Sequence, residues 1–399
     1  MKTRNKENGK VIFYIAHIEL PDINALAHRV LANCIALREA GYKPVLIGYS
    51  KDKNTSKDIR ETHFKVNGFD CFNVPYPISN MDWVKDTVTY KKFTDLISDY
   101  FSEGVHSIVC CSIGSTNFYG LMRFAKKHGI HMVSDTEDWF DYFAGNIIRR
   151  TYKRLDEEVY VKVLKPKIKN VITISSFLYN YYTDAHNCNC IIVPSLTVST
   201  DKRFQNLPEY VNDGVLRYVY SGNPGYKGSK DRIDWCVKAF AKFAPSHAKF
   251  DIFGISLDGF IEQFPEYESA ARDEKITFHG FCDNKTCLEA IARADFSVFA
   301  RLISQPTLAG FPTKFSECLA MGVPSVTTPT SDLKDYIING VNGFVSEDAT
   351  YDSFEKAFAE SCKVTEEQIT EIHKNCKKDK RLDCISYVKI LGDYFDNMK

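Results

Sequence analysis

Residues 11–49 constrain the fold more than any other stretch. Val11-Ile-Phe-Tyr-Ile-Ala16 is a short run of apolar, β-prone residues, the signature of a strand buried on both faces of a parallel sheet. A loop over residues 17–24 follows. Apolar residues then recur at helical spacing over residues 25–40 and stop at Gly41, before a second strand over residues 43–49. Parallel neighbours require a crossover of this kind. The pattern recurs, with strands predicted at 69–74, 107–112, 131–134, 171–174 and 190–193 and helices between them over 88–101, 117–128 and 146–164. Such alternation predicts an α/β, doubly wound parallel sheet.

Residues 194–213 are polar, contain Pro208 and show no period, so they read as an interdomain linker. A second set starts at residues 215–220. It continues with strands at 249–253, 275–278 and 295–299 and helices over 233–243, 260–271 and 285–293; residues 352–362, 366–377 and 382–398 read as terminal helices. The expected domains are Rossmann-like units over 1–200 and 201–380, with a terminal helix over 381–399. A chain of 399 residues suffices for two full cores. Net charge is zero, which argues against nucleic acid as a partner. No apolar run reaches the length of a membrane span. Residues 1–10 do not lead into an apolar h-region, so a cytoplasmic location is expected. The thirteen cysteines form no C-x-x-C pair, and reduced core thiols are expected.

The stretch most informative about chemistry runs from Phe299 to Val345. It contains Gly310-Phe311-Pro312-Thr313-Lys314-Phe-Ser-Glu317, then Gly322-Val-Pro324, an apolar strand, and Asn339-Gly-Val-Asn-Gly-Phe-Val345. Gly310 is expected to free the loop, Pro312 to fit the first helical turn, and Gly322 with Pro324 to stop the helix. Phe315, Cys318 and Leu319 share one face, and Lys314 and Glu317 another. The helix would thus direct its free N–H groups, an ammonium and a carboxylate at one neighbourhood. The N–H groups and ammonium suit phosphate, and the carboxylate suits sugar hydroxyls. Earlier, Ser221-Gly222-Asn223-Pro-Gly-Tyr-Lys227-Gly228 follows a strand and precedes a helix. There it reads as a phosphate-binding turn or as an ordinary Gly/Pro turn with a solvated Lys.

This combination resembles the nucleotide-sugar-binding segment of retaining GT-B glycosyltransferases of family 4 (glycosyl transferases group 1), in the branch found in bacterial surface-polysaccharide synthesis. The resemblance implies the GT-B fold, two Rossmann-like domains facing a cleft, with the terminal helix over 381–399 crossing back to the first domain. The acceptor would bind the first and a nucleoside diphosphate sugar the second. It implies donor contacts at Gly222, Lys227, Arg301, Gly310, Phe311, Thr313, Lys314 and Glu317. Asn223 stands where many relatives have Arg, and Arg301 is expected to supply that charge. Many relatives carry a second Glu eight positions before the one matched by Glu317; here that position is Ala309. No Asp-x-Asp is evident, so no metal is expected, and Lys227, Arg301 and Lys314 would serve the diphosphate. No cofactor is expected beyond the donor itself.

In the first half, His17-Ile-Glu-Leu-Pro21-Asp22 ends the first strand, where open α/β sheets bind ligands. The resemblance places a donor-phosphate and acceptor loop there, although Asn24-Ala25 replaces the usual paired glycines. His28 is a further candidate. Ser134-Asp-Thr-Glu137-Asp138-Trp139 ends another strand and reads as a solvated or helix-capping cluster, or as a sugar-binding edge with Trp139, Phe140 and Tyr142. Relatives place acceptor-binding or catalytic groups there, so Glu137, Asp138 and His17 are the catalytic candidates. Arg149, Arg150, Lys153, Arg154, Lys162, Lys165, Lys167 and Lys169, interrupted by Asp156-Glu157-Glu158, suit either a solvated helix face or peripheral docking on the inner face of a membrane carrying a lipid-linked acceptor. The expected partners are thus a nucleotide sugar and a glycan or lipid-linked acceptor. A catalytically inactive GT-B homologue that binds carbohydrate is the competing reading. A Rossmann oxidoreductase is disfavoured, because no G-x-G-x-x-G follows the first strand.

Overall fold

The structure is a computed structural model that describes residues 10–20, 24–79, 82, 86, 88–139 and 147–398, with only the backbone for 147–150. Pro21, Asp22, Phe140 and Tyr142 therefore lie outside the described residues, as do the side chains of Arg149 and Arg150. The chain divides into two compact units, residues 1–196 with 384–399, and residues 197–383.

The first unit is built on an eight-stranded sheet. Its strands are β1 (Val11–Glu19), β2 (Lys43–Ser50), β3 (Phe64–Val66), β4 (Phe69–Pro75), β5 (Val105–Cys111), β6 (His131–Thr136), β7 (Asn170–Thr173) and β8 (Asn189–Ile192). They lie in the order β3-β4-β2-β1-β5-β6-β7-β8. All neighbours are parallel except β3, which is antiparallel to β4. The central strands are apolar because helices cover both faces: residues 11–16 of β1 are all buried. β1 runs on through His17 to Glu19, where a loop was expected, because Ile18 continues the buried alternation at 1% exposure. The β3–β4 hairpin was not predicted, yet its signal was in the sequence. Asn67-Gly68 takes φ of 50° and 83°, which is what a two-residue hairpin turn requires.

Arg29, on the helix Ala25–Glu39, is fully enclosed. It donates from Nε and Nη2 to Asp135 and from Nη1 to the carbonyls of Val193 and Pro194. The helix Val388–Asp396 packs in this unit too, with Tyr42 donating to Asp396 at 2.6 Å and Tyr394 to the Asn189 carbonyl at 3.0 Å.

The second unit carries β9 (Leu216–Ser221), β10 (Ala248–Phe253), β11 (Ile276–Gly280), β12 (Phe296–Phe299), β13 (Ser325–Thr327) and β14 (Gly343–Val345). The order is β11-β10-β9-β12-β13-β14, and every pair is parallel. The helix expected over 260–271 is broken into Leu257–Gln263 and Glu268–Ala271. Pro265 has no N–H to continue it. The expected polar loop after Arg301 instead holds the helix Gln305–Ala309, started by a Ser304/Thr307 capping box. The thirteen cysteines are free thiols, most of them buried. No helix among the described residues is long and apolar enough to cross a membrane.

Burial makes this fold acid-sensitive. His373 is 4% exposed, stacks on Tyr210 at 3.8 Å, and is pushed down to about 4, mainly by desolvation. A folded-state pKa below the unfolded value of 6.5 means that the fold favours the neutral ring. Its stabilisation is complete above 6.5 and is lost as pH falls toward 4, at up to about 1.4 kcal/mol per pH unit. Denaturant midpoints should therefore decline across that window. His373→Gln, less stable at neutral pH, should show a shallower decline, and an equally steep one would dismiss this histidine as a source.

Candidate functional site

In an open parallel sheet, ligands bind beyond the strand ends where the strand order reverses. In the second unit that point lies between β9 and β12. Gly222 follows β9 with φ of 139°, and a Cβ there would stand 3.1 Å from Lys314 Nζ. Gly254 follows β10 with φ of 100°, and a Cβ there would meet the Gly222 carbonyl at 2.2 Å. Glycines are what allow these two turns to approach so closely.

Arg301 follows β12, and Lys314 lies in the first turn of the helix Thr313–Met321. Both converge on Asp231, a residue that no motif had singled out. Arg301 Nε reaches Asp231 Oδ1 at 2.6 Å and Lys314 Nζ reaches Oδ2 at 2.7 Å. Tyr220 also donates to Oδ2, at 2.8 Å. Asp231 has no exposed surface, and Arg301 retains 9%. The Arg301 backbone is pinned on both sides by the Thr328 hydroxyl, which accepts from its N–H and donates to its carbonyl, each at 2.8 Å. The Asp231 turn is tied to the same strand end, since Arg232 N–H donates to the Ala300 carbonyl at 2.7 Å.

The charges do not balance. Burial opposes ionisation of Asp231, but Lys314 and Arg301 outweigh it and hold the carboxyl well below the usual carboxylate range. Lys314 is nevertheless pushed below its ordinary value, first by burial and then by the neighbouring Arg301, against the pull of Asp231. One carboxylate thus serves two enclosed cations, and the lysine is left under-compensated. A second anion arriving beside Gly222 would relieve it.

The other predicted donor residues are placed less uniformly. Lys227 is exposed on the turn, at φ 49°, with its ammonium 5.7 Å from the Tyr226 ring centroid; it shares no contact with the Asp231 cluster. Phe311 is buried and packs edge-on against Phe315 and Tyr336, so it anchors the loop in the core. Gly310 has an extended φ of −80°, a conformation open to any residue, so no backbone freedom is needed there. Pro312 is the N-cap, Thr313 heads the helix, and Gly322 ends it in the left-handed region at φ 79°. Lys314 and Glu317 do not reach into one neighbourhood as the helical spacing suggested. Glu317 Oε1 accepts from Arg203 Nη1 at 3.0 Å, and Arg203 is braced by Asp201 at 2.9 Å. Arg203 lies in the stretch read as linker, where no sequence signal marked it.

The first unit holds a second cluster beyond β5 and β6. Ser112, Ile113, Gly114, Glu137, Asp138, Asp156, Glu157, Tyr160 and Lys165 line a recess of about 430 Å³ including its open mouth. Glu137 accepts from the Ser112 hydroxyl and from Cys111 Sγ. Asp156 accepts from the Ser115 N–H at 3.2 Å. Burial, then the neighbouring carboxylates against the pull of Lys165, raise Glu157 to about 7. The chain reaches this recess through a change of helical period. The helix Ile147–Val159 passes into a π turn at Tyr160–Leu164, a departure common at functional sites. Tyr160 is 3% exposed, and its hydroxyl has no hydrogen-bond partner among the described residues. Lys165 is also buried, with its ammonium 4.3 Å above the Tyr160 ring. In the sequence Glu157, Tyr160 and Lys165 lie on a charged helix that suits a solvated face or membrane docking; the π turn that aims Tyr160 inward has no sequence signature.

His17 does not join this cluster. It stacks on Tyr49 at 4.4 Å and meets Tyr76 edge-on at 5.6 Å, toward β2, whereas Glu137 follows β6, two strands away on the other side of β1. His17 thus stands on the β2 side of β1, and Glu137 with Asp138 at the end of β6. His28 lies half-buried on the first helix.

The two parallel-sheet α/β units have the fold of GT-B glycosyltransferases. Residues 216–363 match the family model for Glycosyl transferases group 1, which covers the whole β9–β14 sheet. No curated protein sequence matches the chain. Among solved structures, the chain is similar to the sucrose-phosphate synthase of Thermosynechococcus elongatus, with 14% identity, a TM-score of 0.67, and 97% of this chain and 98% of that one covered. It is similar to Anabaena HepE in complex with UDP and glucose, at 12% identity and TM-score 0.63, covering 98% and 100%. It also resembles WaaG, a glycosyltransferase involved in lipopolysaccharide biosynthesis, at 12% identity and TM-score 0.60, covering 97% and 100%. At such identities the likeness establishes the fold.

Proposed function

We propose that this protein is a retaining glycosyltransferase that moves a sugar from a nucleoside diphosphate sugar to an acceptor hydroxyl, in surface-polysaccharide or glycoconjugate synthesis. The observation that carries the reading is the under-compensated Arg301–Lys314–Asp231 cluster beside Gly222. The bond between the anomeric carbon and the diphosphate oxygen breaks, and its electron pair leaves with the diphosphate. Arg301 and Lys314 offset that growing charge from fixed positions, as donors preorganised in a water-poor site do. In this reading they replace a metal ion. The acceptor oxygen bonds to the anomeric carbon on the face from which the diphosphate leaves, and its proton passes to the departing diphosphate oxygen. HepE was solved with UDP and glucose, and a ligand of the same class suits this cluster. WaaG, which acts in lipopolysaccharide synthesis, is consistent with the motif at Gly310–Glu317. The acceptor is assigned to the recess of the first unit, where the side-chain oxygens of Glu137 and Asp138 would accept from sugar hydroxyls and Glu157, protonated below about 7, would donate.

A thermal-shift screen of nucleoside diphosphates and their sugars, with release of free diphosphate as the activity readout, tests this reading. A binder at a hundred times its dissociation constant adds about 2.7 kcal/mol. No shift with any of them would sink the donor assignment. Binding without turnover across acceptors would favour an inactive carbohydrate-binding homologue. For the acceptor, Glu137→Ala, Asp138→Ala and Glu157→Gln should each depress transfer and leave donor affinity unchanged. Glu157→Gln should also remove a pH dependence of acceptor KM centred near 7. Loss of donor affinity in these variants would overturn the assignment.

A further inference from the structure

The recess of the first unit has more acid than a neutral sugar calls for. Glu137, Asp138, Asp156 and Glu157 line it, against one cation, Lys165. Three of these carboxyl groups accept from donors of the protein: Glu137 from the Ser112 hydroxyl, Asp138 from the Trp139 N–H and Asp156 from the Ser115 N–H. Glu157 forms no hydrogen bond or ion pair among the described residues; burial and neighbouring charge alone act on it. Two enclosed donors are also unused. The Tyr160 hydroxyl has no partner among the described residues, although the side chain is 3% exposed. Lys165, equally buried, rests its ammonium on the Tyr160 ring and forms no ion pair among the described residues. Buried polar groups left in this way are unfavourable, and a ligand that pairs them accounts for their retention.

The unused groups make two demands. The carboxyl groups call for a cation, whereas Tyr160 and Lys165 call for acceptor oxygens. A metal ion answers only the first, and no group of three ligands that could hold one occurs among the described residues. An acidic sugar answers only the second, and would bring its own charge against four carboxyl groups. We propose that the recess takes a sugar bearing a free amine, with its ammonium on the carboxyl side and its hydroxyl oxygens accepting from Tyr160 and Lys165. Charge-assisted hydrogen bonds in an enclosed site would hold the ammonium. The inference rests on the assignment of the recess to the acceptor and narrows that acceptor to an amino sugar. N-acetylation would remove the charge and with it the preference.

Isothermal titration of the full chain without donor tests this independently of any turnover. The probes are glucosamine and galactosamine, each beside its neutral parent, glucose or galactose, and its N-acetyl derivative. At least one amino sugar should bind about tenfold or more tightly than both of its uncharged counterparts, the scale of one hydrogen bond to a charged group. Glu157→Gln should cut that preference at least about fivefold and leave the affinity for the neutral parent unchanged. Tyr160→Phe should weaken amino and neutral sugars alike, by about fivefold. Because it removes a hydroxyl that nothing pairs, it should not lower the melting temperature of the ligand-free protein, so lost binding is not lost folding. Equal affinity for charged and uncharged sugars, no binding of either amino sugar, or parental binding by both variants would overturn the inference. Transfer to neutral sugars with no amine preference refutes the inference and leaves the transfer reading standing. An amine preference without release of diphosphate from any donor upholds the inference and refutes the transfer reading.

Discussion

Lys314→Ala and Arg301→Ala each lower kcat by roughly 30- to 1,000-fold, about 2–4 kcal/mol, the range for removing one preorganised donor to a developing oxyanion. KM for the nucleotide sugar rises far less, because the leaving diphosphate carries more charge in the transition state than in the bound substrate. Arg301→Lys restores only part of the loss. A guanidinium held through Nε by Asp231 can still direct its outer nitrogens as a fork, whereas an ammonium is a single point charge. Steady-state release of nucleoside diphosphate gives both constants. Binding of the bare nucleoside supplies the control. If the variants lose nucleoside and nucleoside diphosphate equally, these cations hold the shape of the site and not its phosphates.

Asp231→Asn has the larger effect on stability. The carboxylate lies with no exposed surface between two cations and a phenol. Its removal leaves Arg301 and Lys314 uncompensated. Breaking a buried pair in this way costs about 3–5 kcal/mol, because the remaining charge keeps its desolvation penalty. The variant should melt well below the parent in the absence of ligand. A nucleoside diphosphate then replaces part of the missing charge, so the thermal upshift on adding it should exceed that of the parent. A ligand-induced shift no larger than the parental one would show that the phosphates bind elsewhere. Differential scanning calorimetry with and without the diphosphate separates these outcomes.

Much of the architecture was readable because it rests on local periods. The apolar runs of β1, β2, β5 and β9 can be satisfied only by burial on both faces, and the helical spacing between them supplies the crossovers. The glycines also announced themselves. Gly222 precedes a turn, and Gly322 ends a helix in the left-handed region, both from composition that a local rule reads. Errors fell where a single residue overrode the local period. Pro265 broke a predicted helix, and Ile18 carried β1 three residues past its expected end.

What the sequence determined by itself was the residue inventory at the strand ends: Gly222, Arg301 and Lys314 in one half, Glu137 and Asp138 in the other. Each is marked by its position after a strand or at the head of a helix, which are short-range properties. What only the tertiary structure decided was which of these side chains meet. Asp231 looks like one more solvated charge in Lys230-Asp231-Arg232, and Arg203 like a linker residue. Their roles follow from contacts to residues 70, 83 and 114 positions away. Helical spacing put Lys314 and Glu317 on one face, but long side chains choose partners by desolvation and charge, and those lie on other segments. His17, at the end of β1, lies ring on ring against Tyr49 of the neighbouring strand. Pairings of this kind are energies between distant parts of the chain, so they exist only once the sheet order has brought the strand ends together.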